Sequence, residues 1–265
     1  MNGPEDKLEE LKRKLRKWGR IAIGFSGGVD STFLAKVARD ALGDGVLAVT
    51  ARSQVHSARE REDAVRAAAE VGVRQRLIDL DIWSVPHFGE NPKDRCYHCK
   101  RAVFTAIRAT ARKEGFLVVA DGTNADDSSD DRPGVAALRE LGIESPLRDV
   151  GLTKEEIRAF SRRMGLSTAE KPAMACLATR IPHGEPLTTE KLQAVERVEN
   201  ALFGMGFRQA RARHHGELVR IELGSGEMDR MLDAAVRRKT VEAAKSAGFC
   251  RVTLDLEGYR TSGIA

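Results

Sequence analysis

No apolar run in this 265-residue chain approaches the length of about 20 residues that a membrane helix needs. Residues 1–16 are charged and lack the apolar stretch of a secretory signal. Both absences lead to the expectation of a cytoplasmic protein. Cysteine is scarce, with Cys96, Cys99, Cys176 and Cys250 the full set. Four thiols in a cytosolic chain rarely form structural disulfides, which leaves catalysis, metal binding or burial. A second Cys-x-x-Cys is missing, and His98 stands between Cys96 and Cys99 rather than at a usual zinc-ligand spacing. There is no internal repeat, no low-complexity tract, and no long basic arm or zinc finger of the kind that binds RNA.

The composition, 42% hydrophobic and 31% charged, is that of a globular chain with a proper core and excludes extensive disorder. The length suits one large domain, or an ordinary domain with a smaller one. A net charge of +5 permits an anionic partner such as a nucleotide or RNA, but the charges alternate in sign along most of the chain, as they do on solvated helix faces.

Hydrophobic periodicity sets the organisation. Leu8, Leu11, Leu15 and Trp18 line one face of a helix over 6–18. Residues 21–25 form a short apolar strand leading into Ser26-Gly27-Gly28, and a helix follows from Asp30. Further strands are expected at 46–50, 76–80 and 116–120, with helices at 57–71, from about 96 to 114, and at 152–164. Such alternation makes an α/β fold with a parallel sheet covered on both faces. Ligands of such sheets sit at the carboxyl ends of the strands, where the polar clusters 26–31, 50–53 and 121–124 fall. Residues 167–186, rich in small residues and proline, read as a functional loop. Beyond it come a helix (188–204), a hairpin (207–213 and 217–223), a helix (228–247) and a final strand (250–256), which make a small α+β domain. The expected division is 1–184 and 185–265.

The strongest local signal is Ser26-Gly27-Gly28-Val29-Asp30-Ser31 between a buried strand and a helix. The glycines open backbone conformations closed to other residues. Their N–H groups and the helix N-terminus make an anion site, to which Ser26 and Ser31 add hydroxyl donors. Asp30 would repel phosphate unless it held Mg²⁺, so a metal role falls to it. The spacing is not that of a Walker loop. The string resembles the PP-loop of the ATP pyrophosphatases, which implies an adenine nucleotide alpha hydrolase-like domain over roughly residues 20–165. It also implies cleavage of ATP between its α and β phosphates, with Asp121, Thr123 and Asn124 on the adenine or ribose side. The loop gives the activation step and leaves the acceptor open.

Two more stretches narrow the acceptor, residues 91–100 (NPKDRCYHCK) and 171–184 (KPAMACLATRIPHG). With the loop, Gly122-Thr123-Asn124 and Arg211-Ala212-Arg213-His214-His215-Gly216, they resemble the LarE family of ATP-dependent sacrificial sulfur transferases over about residues 6–258. That resemblance implies adenylation of a carboxylate of a pyridinium dicarboxylate mononucleotide, in nickel-pincer nucleotide biosynthesis. Cys176 is then the sulfur donor, and a nearby Arg180 would favour its thiolate. Arg180, Arg211 and Arg213 are the expected substrate ligands. Glu199, Glu222 and Asp229 match the family's acidic residues near substrate and metal, and a homo-oligomer is implied. Taken locally, Cys176 also reads as part of a small buried run, Arg211 and Arg213 as an exposed pair on one strand face, and Cys96 and Cys99 as helix packing, substrate contacts or a redox pair. Competing readings are a PP-loop tRNA thiolase, an ammonia-using amide synthetase that needs no cysteine, and a nucleotide sensor without chemistry.

Overall fold

The computed structural model describes residues 3–127, 133–172 and 175–259. The chain divides into two compact units, Met1–Val85 with Asp94–Met174, and Pro86–Lys93 with Ala175–Ala265. The segment 175–184, which the expected boundary gives to the first domain, falls in the second unit, as do residues 86–93.

In the first unit the elements run α1 (Pro4–Trp18), β1 (Ile21–Gly24), α2 (Val29–Leu42), β2 (Val46–Arg52), α3 (Ala58–Val71), β3 (Arg74–Asp79), α4 (Arg95–Lys113), β4 (Val118–Ala120), α5 (Pro133–Glu140), α6 (Pro146–Asp149) and α7 (Lys154–Arg163). The strands form a parallel sheet in the order β3-β2-β1-β4, and a parallel bridge from Ala120 to Glu144 prolongs its far edge. Alternate residues of each strand point to opposite faces. Accordingly, Ile21, Ile23, Val46 and Ala48 pack with α1, α2, α3 and α7, whereas Ala22, Leu47 and Val49 pack with Phe104, Ile107 and Leu138 of α4 and α5. Both faces are therefore dry, as the near-continuous apolar runs of β1 and β2 require.

Helix starts follow local chemistry. Ser57 and Thr153 cap α3 and α7 reciprocally with Glu60 and Glu156. Three expectations are corrected here. Phe116 is a buried core residue ahead of β4, which begins only at Val118. The third strand is a largely exposed edge starting at Arg74. The helix α5, within 125–151, was not anticipated: at eight residues it is too short for periodicity to stand out.

In the second unit, a 3₁₀ turn (Leu177–Arg180) precedes α8 (Thr189–Gly204), β5 (Ala210–His215), β6 (Leu218–Leu223), a 3₁₀ segment (Ser225–Leu232), α9 (Ala234–Ser246) and β7 (Arg251–Leu254). The expected 228–247 helix is thus interrupted. Asp233 accepts from the N–H groups of Ala235 (2.8 Å) and Val236 (2.9 Å), and so caps α9 where a continuous helix would need a helical residue. β5 and β6 form the antiparallel hairpin, and β7 joins β6 in parallel after crossing through α9.

Candidate active site: a phosphate loop and a cysteine turn

In the first unit the carboxyl ends of β1, β2 and β4 meet around a cavity of about 390 Å³ lined by Ser26, Asp30, Ser31, Thr50, Asp121 and Thr123, among others. The volume lies in the range of small-ligand pockets. All three polar clusters read from the sequence contribute to it.

The loop after β1 is shaped by its glycines. Gly27 has φ +66°, and a Cβ there would lie 2.5 Å from Cα of Ala64 in α3, so a side chain is barred on two counts. Gly122 lets the strand-4 loop approach the start of α2, since its Cβ would stand 3.0 Å from the Ser31 nitrogen. The hydroxyls of Ser26 and Ser31 lie 3.1 Å apart, and the Gly28 N–H donates to Ser26 Oγ at 3.3 Å. This is a cluster of small donors at the start of α2, where the helix dipole favours an anion.

Asp30, the expected metal ligand, accepts from Lys154 Nζ at 2.5 Å and from Asn124 Nδ2 at 3.3 Å. Asp121 and Thr123 bind one another, and Asp121 also accepts from Ser145 Oγ at 2.8 Å. Asp121 therefore shapes the strand-4 loop from within. Asp127 shares the cavity lining with Asp30. Two carboxylates beside a phosphate loop fit Mg²⁺, which usually takes one or two carboxylates and completes its shell with phosphate oxygens and water.

Several lining residues escaped the sequence reading. His56, Glu60 and Arg61 line the cavity from the start of α3 and the turn before it; Cys99 and Lys100, which belong to the 91–100 stretch singled out in the sequence, line it from α4. Burial holds the His56 imidazole below its ordinary value, with Arg61 adding to the effect and Glu60 opposing it. Lys154 was also missed as a site residue. The only signal available was its place directly after the Thr153 cap, which says nothing of where its ammonium reaches.

The second unit carries Cys176. It stands at the head of the Leu177–Arg180 turn, half-buried, and its carbonyl accepts from Thr179 N (3.0 Å), Thr179 Oγ1 (2.8 Å) and Arg180 Nη1 (3.2 Å). Arg180 is buried. Its Nε and Nη2 hold the two oxygens of Glu199 at 2.8 and 3.0 Å, and its Nη1 also meets the carbonyl of Ala175 at 2.6 Å. Arg213 repeats the pattern, binding Glu222 at 2.9 and 3.0 Å and the Thr179 carbonyl at 2.7 Å. The expected substrate arginines Arg180 and Arg213 are thus engaged in building the cysteine turn.

Arg211 differs. It donates to the Tyr259 hydroxyl at 2.6 Å and lies 4.9 Å from that ring's centroid, with no acidic partner among the described residues. Burial lowers its pKa, and the positive charges of Arg180 and Arg213 add to this, so Arg211 is the surplus cation of the cluster. Glu199 and Glu222 have their oxygens taken by guanidinium groups, and Asp229 is exposed. No group of three metal-ligating side chains occurs among the described residues. No disulfide joins the four cysteines; Cys96 and Cys250 are exposed. No helix is long and apolar enough to cross a membrane, among the described residues.

Comparison with known proteins agrees with the geometry. The family model for NAD synthase matches residues 5–120, which span the phosphate loop. An uncharacterized protein of Synechocystis sp. is 40% identical over 257 residues, 97% of this chain and 96% of its own. The pyridinium-3,5-bisthiocarboxylic acid mononucleotide synthase of Lactiplantibacillus plantarum is 33% identical over 256 residues, 96% of this chain and 92% of its own. A tRNA-specific 2-thiouridylase of Pelobacter propionicus is 30% identical, but over only 57% of this chain and 52% of its own. Similarity to the synthase extends through both units, and the chain therefore belongs to the LarE family of PP-loop enzymes, that of the pyridinium-3,5-bisthiocarboxylic acid mononucleotide synthase.

Proposed function

We propose that this protein is an ATP-dependent sulfur transferase that adenylates a carboxylate of pyridinium-3,5-dicarboxylate mononucleotide and converts it to a thiocarboxylate with sulfur from Cys176, in nickel-pincer nucleotide biosynthesis. The reading rests on one combination in a chain of this family: a phosphate-loop cavity in one unit and, in the other, a half-buried cysteine on a turn built by two buried arginines. The first unit is the ATP domain and the second the sulfur and substrate domain. The enzyme acts in the cytoplasm, as a homo-oligomer, on a small nucleotide.

Ser26, Gly28 and Ser31 would hold the polyphosphate, and Asp30 and Asp127 a Mg²⁺ ion that offsets its charge. A substrate carboxylate oxygen attacks the α-phosphorus and pyrophosphate leaves. The acyl adenylate now carries AMP as leaving group in place of oxide. The Cys176 thiolate attacks the acyl carbon and expels AMP, which gives a thioester. Loss of the Cys176 Cα proton with cleavage of its Cβ–S bond releases the thiocarboxylate and leaves dehydroalanine. Arg180 and Arg213 shape the turn that presents the thiol through the carbonyls of Ala175, Cys176 and Thr179, and Arg211 takes a phosphate or carboxylate of the nucleotide.

The test is the intact mass of the protein after incubation with ATP, Mg²⁺ and the dicarboxylate mononucleotide. Loss of one H₂S mapped to Cys176 is the expected result. Thiolated product without a mass change would replace Cys176 by an external sulfur source. ATP turnover that instead depends on tRNA would transfer the chain to the tRNA thiolases.

A further inference from the structure

The phosphate loop contains a structural hazard. The peptide between Gly27 and Gly28 is flanked by two residues without Cβ, so it can flip at little cost. One orientation turns the Gly28 N–H toward the loop's hydroxyls; the other turns the Gly27 carbonyl oxygen there and would repel a phosphate. Something outside the loop has to choose between them.

The side chain that reaches this peptide is Lys171. Its ammonium donates to the Gly27 carbonyl at 3.0 Å and pairs with Asp63 of α3 at 2.8 Å, with both side chains largely buried. A trans peptide is planar, with its C=O and N–H on opposite sides. A Gly27 carbonyl bound to Lys171 therefore points the Gly28 N–H the other way, where it meets Ser26 Oγ at 3.3 Å. Ser26 and Ser31 are the hydroxyls that line the cavity.

The clamp is itself held. Arg158 of α7 donates to the carbonyls of Ala169 and Lys171, the latter at 2.9 Å, and Ser167 binds Glu70 of α3 through its N–H (2.8 Å) and hydroxyl (2.5 Å). Glu70 lies two helical turns beyond Asp63 on the same face of α3, so the segment leading to Lys171 is laid along that helix. Burial pushes the Asp63 carboxyl up, but the hydrogen bonds and charges of Lys171 and Arg66 together outweigh it and hold it below the ordinary carboxylate value.

We infer that Lys171, oriented by Asp63, is the positioning residue of the phosphate loop: it fixes the Gly27–Gly28 peptide in the orientation that offers its N–H to a polyphosphate. The inference rests on the reading of this loop as a polyphosphate site. It also gives Lys171 a function that needs no contact with the nucleotide.

The experiment is calorimetric titration of the full-length protein with inorganic pyrophosphate. Lys171→Met weakens binding about tenfold, the size expected for loss of a charge-assisted hydrogen bond, and Lys171→Arg restores most of it. Asp63→Asn supplies the discriminating sign. It removes a negative charge near an anion site, so simple electrostatics, or direct contact of Lys171 with phosphate, requires tighter binding. Positioning requires weaker binding, by roughly threefold. Unchanged or tighter binding by Asp63→Asn overturns the inference, even if Lys171→Met does not fold. Wild-type protein that binds neither pyrophosphate nor ATP overturns the reading of the loop as well.

Discussion

Arg180 and Glu199 form a buried two-point ion pair, 2.8 and 3.0 Å, directly behind the turn that begins at Cys176. The third nitrogen of the same guanidinium binds the carbonyls of Ala175 and Cys176. Such a pair is a poor source of net stability but a strict one, since removing either member strands a buried charge. Arg180→Met should therefore cost about 3–5 kcal/mol of folding stability, read by denaturant titration. Arg180→Lys keeps the charge and loses the fork, and should fold while losing most sulfur transfer, measured as product per polypeptide. Retention of full activity by Arg180→Lys would rule out a shaping role for the guanidinium.

Gly27 tolerates no side chain. With φ at +66° and Cα of Ala64 only 2.5 Å from where a methyl group would stand, Gly27→Ala combines backbone strain with a clash. A loss of about 2–4 kcal/mol is expected, with ATP binding falling further than global stability because the strain sits in the loop. Thermal melts with and without ATP separate the two.

Arg211 should act on substrate capture. Its partner is a neutral phenol, so Arg211→Leu leaves no buried carboxylate stranded and should fold with little loss. It should raise the mononucleotide concentration needed for half-maximal single-turnover rate by about 10- to 100-fold, with ATP binding intact. Tyr259→Phe, which keeps the ring beneath the guanidinium and removes the hydroxyl, should give a smaller rise of about threefold.

Acid should destabilise the fold before its carboxylates titrate. His56, His214 and His215 are all held below the ordinary imidazole value of 6.5, in each case by burial first; Arg61, Lys191 and Arg220 respectively add to it. The unfolded chain then binds protons that the folded chain refuses, so stability rises with pH in this window. The contribution is complete above about pH 6.5 and is lost as pH falls below it. Melting points at pH 7.5 and 5.5 should differ by several degrees, and His214→Leu should narrow the gap.

The alternation of strand and helix, the phosphate loop and the caps at Ser57 and Thr153 were legible because each depends on neighbours a few residues away. Cys176 and the arginines could be found as residue types in a pattern, and the family resemblance attached a chemistry to them. The sequence alone did not assign their work. Arg180, Arg211 and Arg213 look alike along the chain, yet two spend their donors on Glu199, Glu222 and carbonyls, and of the three only Arg211 keeps an unneutralised charge among the described residues. Lys154 on Asp30 and Lys171 on Gly27 span 124 and 144 residues. Local periodicity determines which face of an element is buried, but a charged side chain's role depends on which partner desolvation and packing bring within about 3 Å of it, and only the tertiary structure decides that.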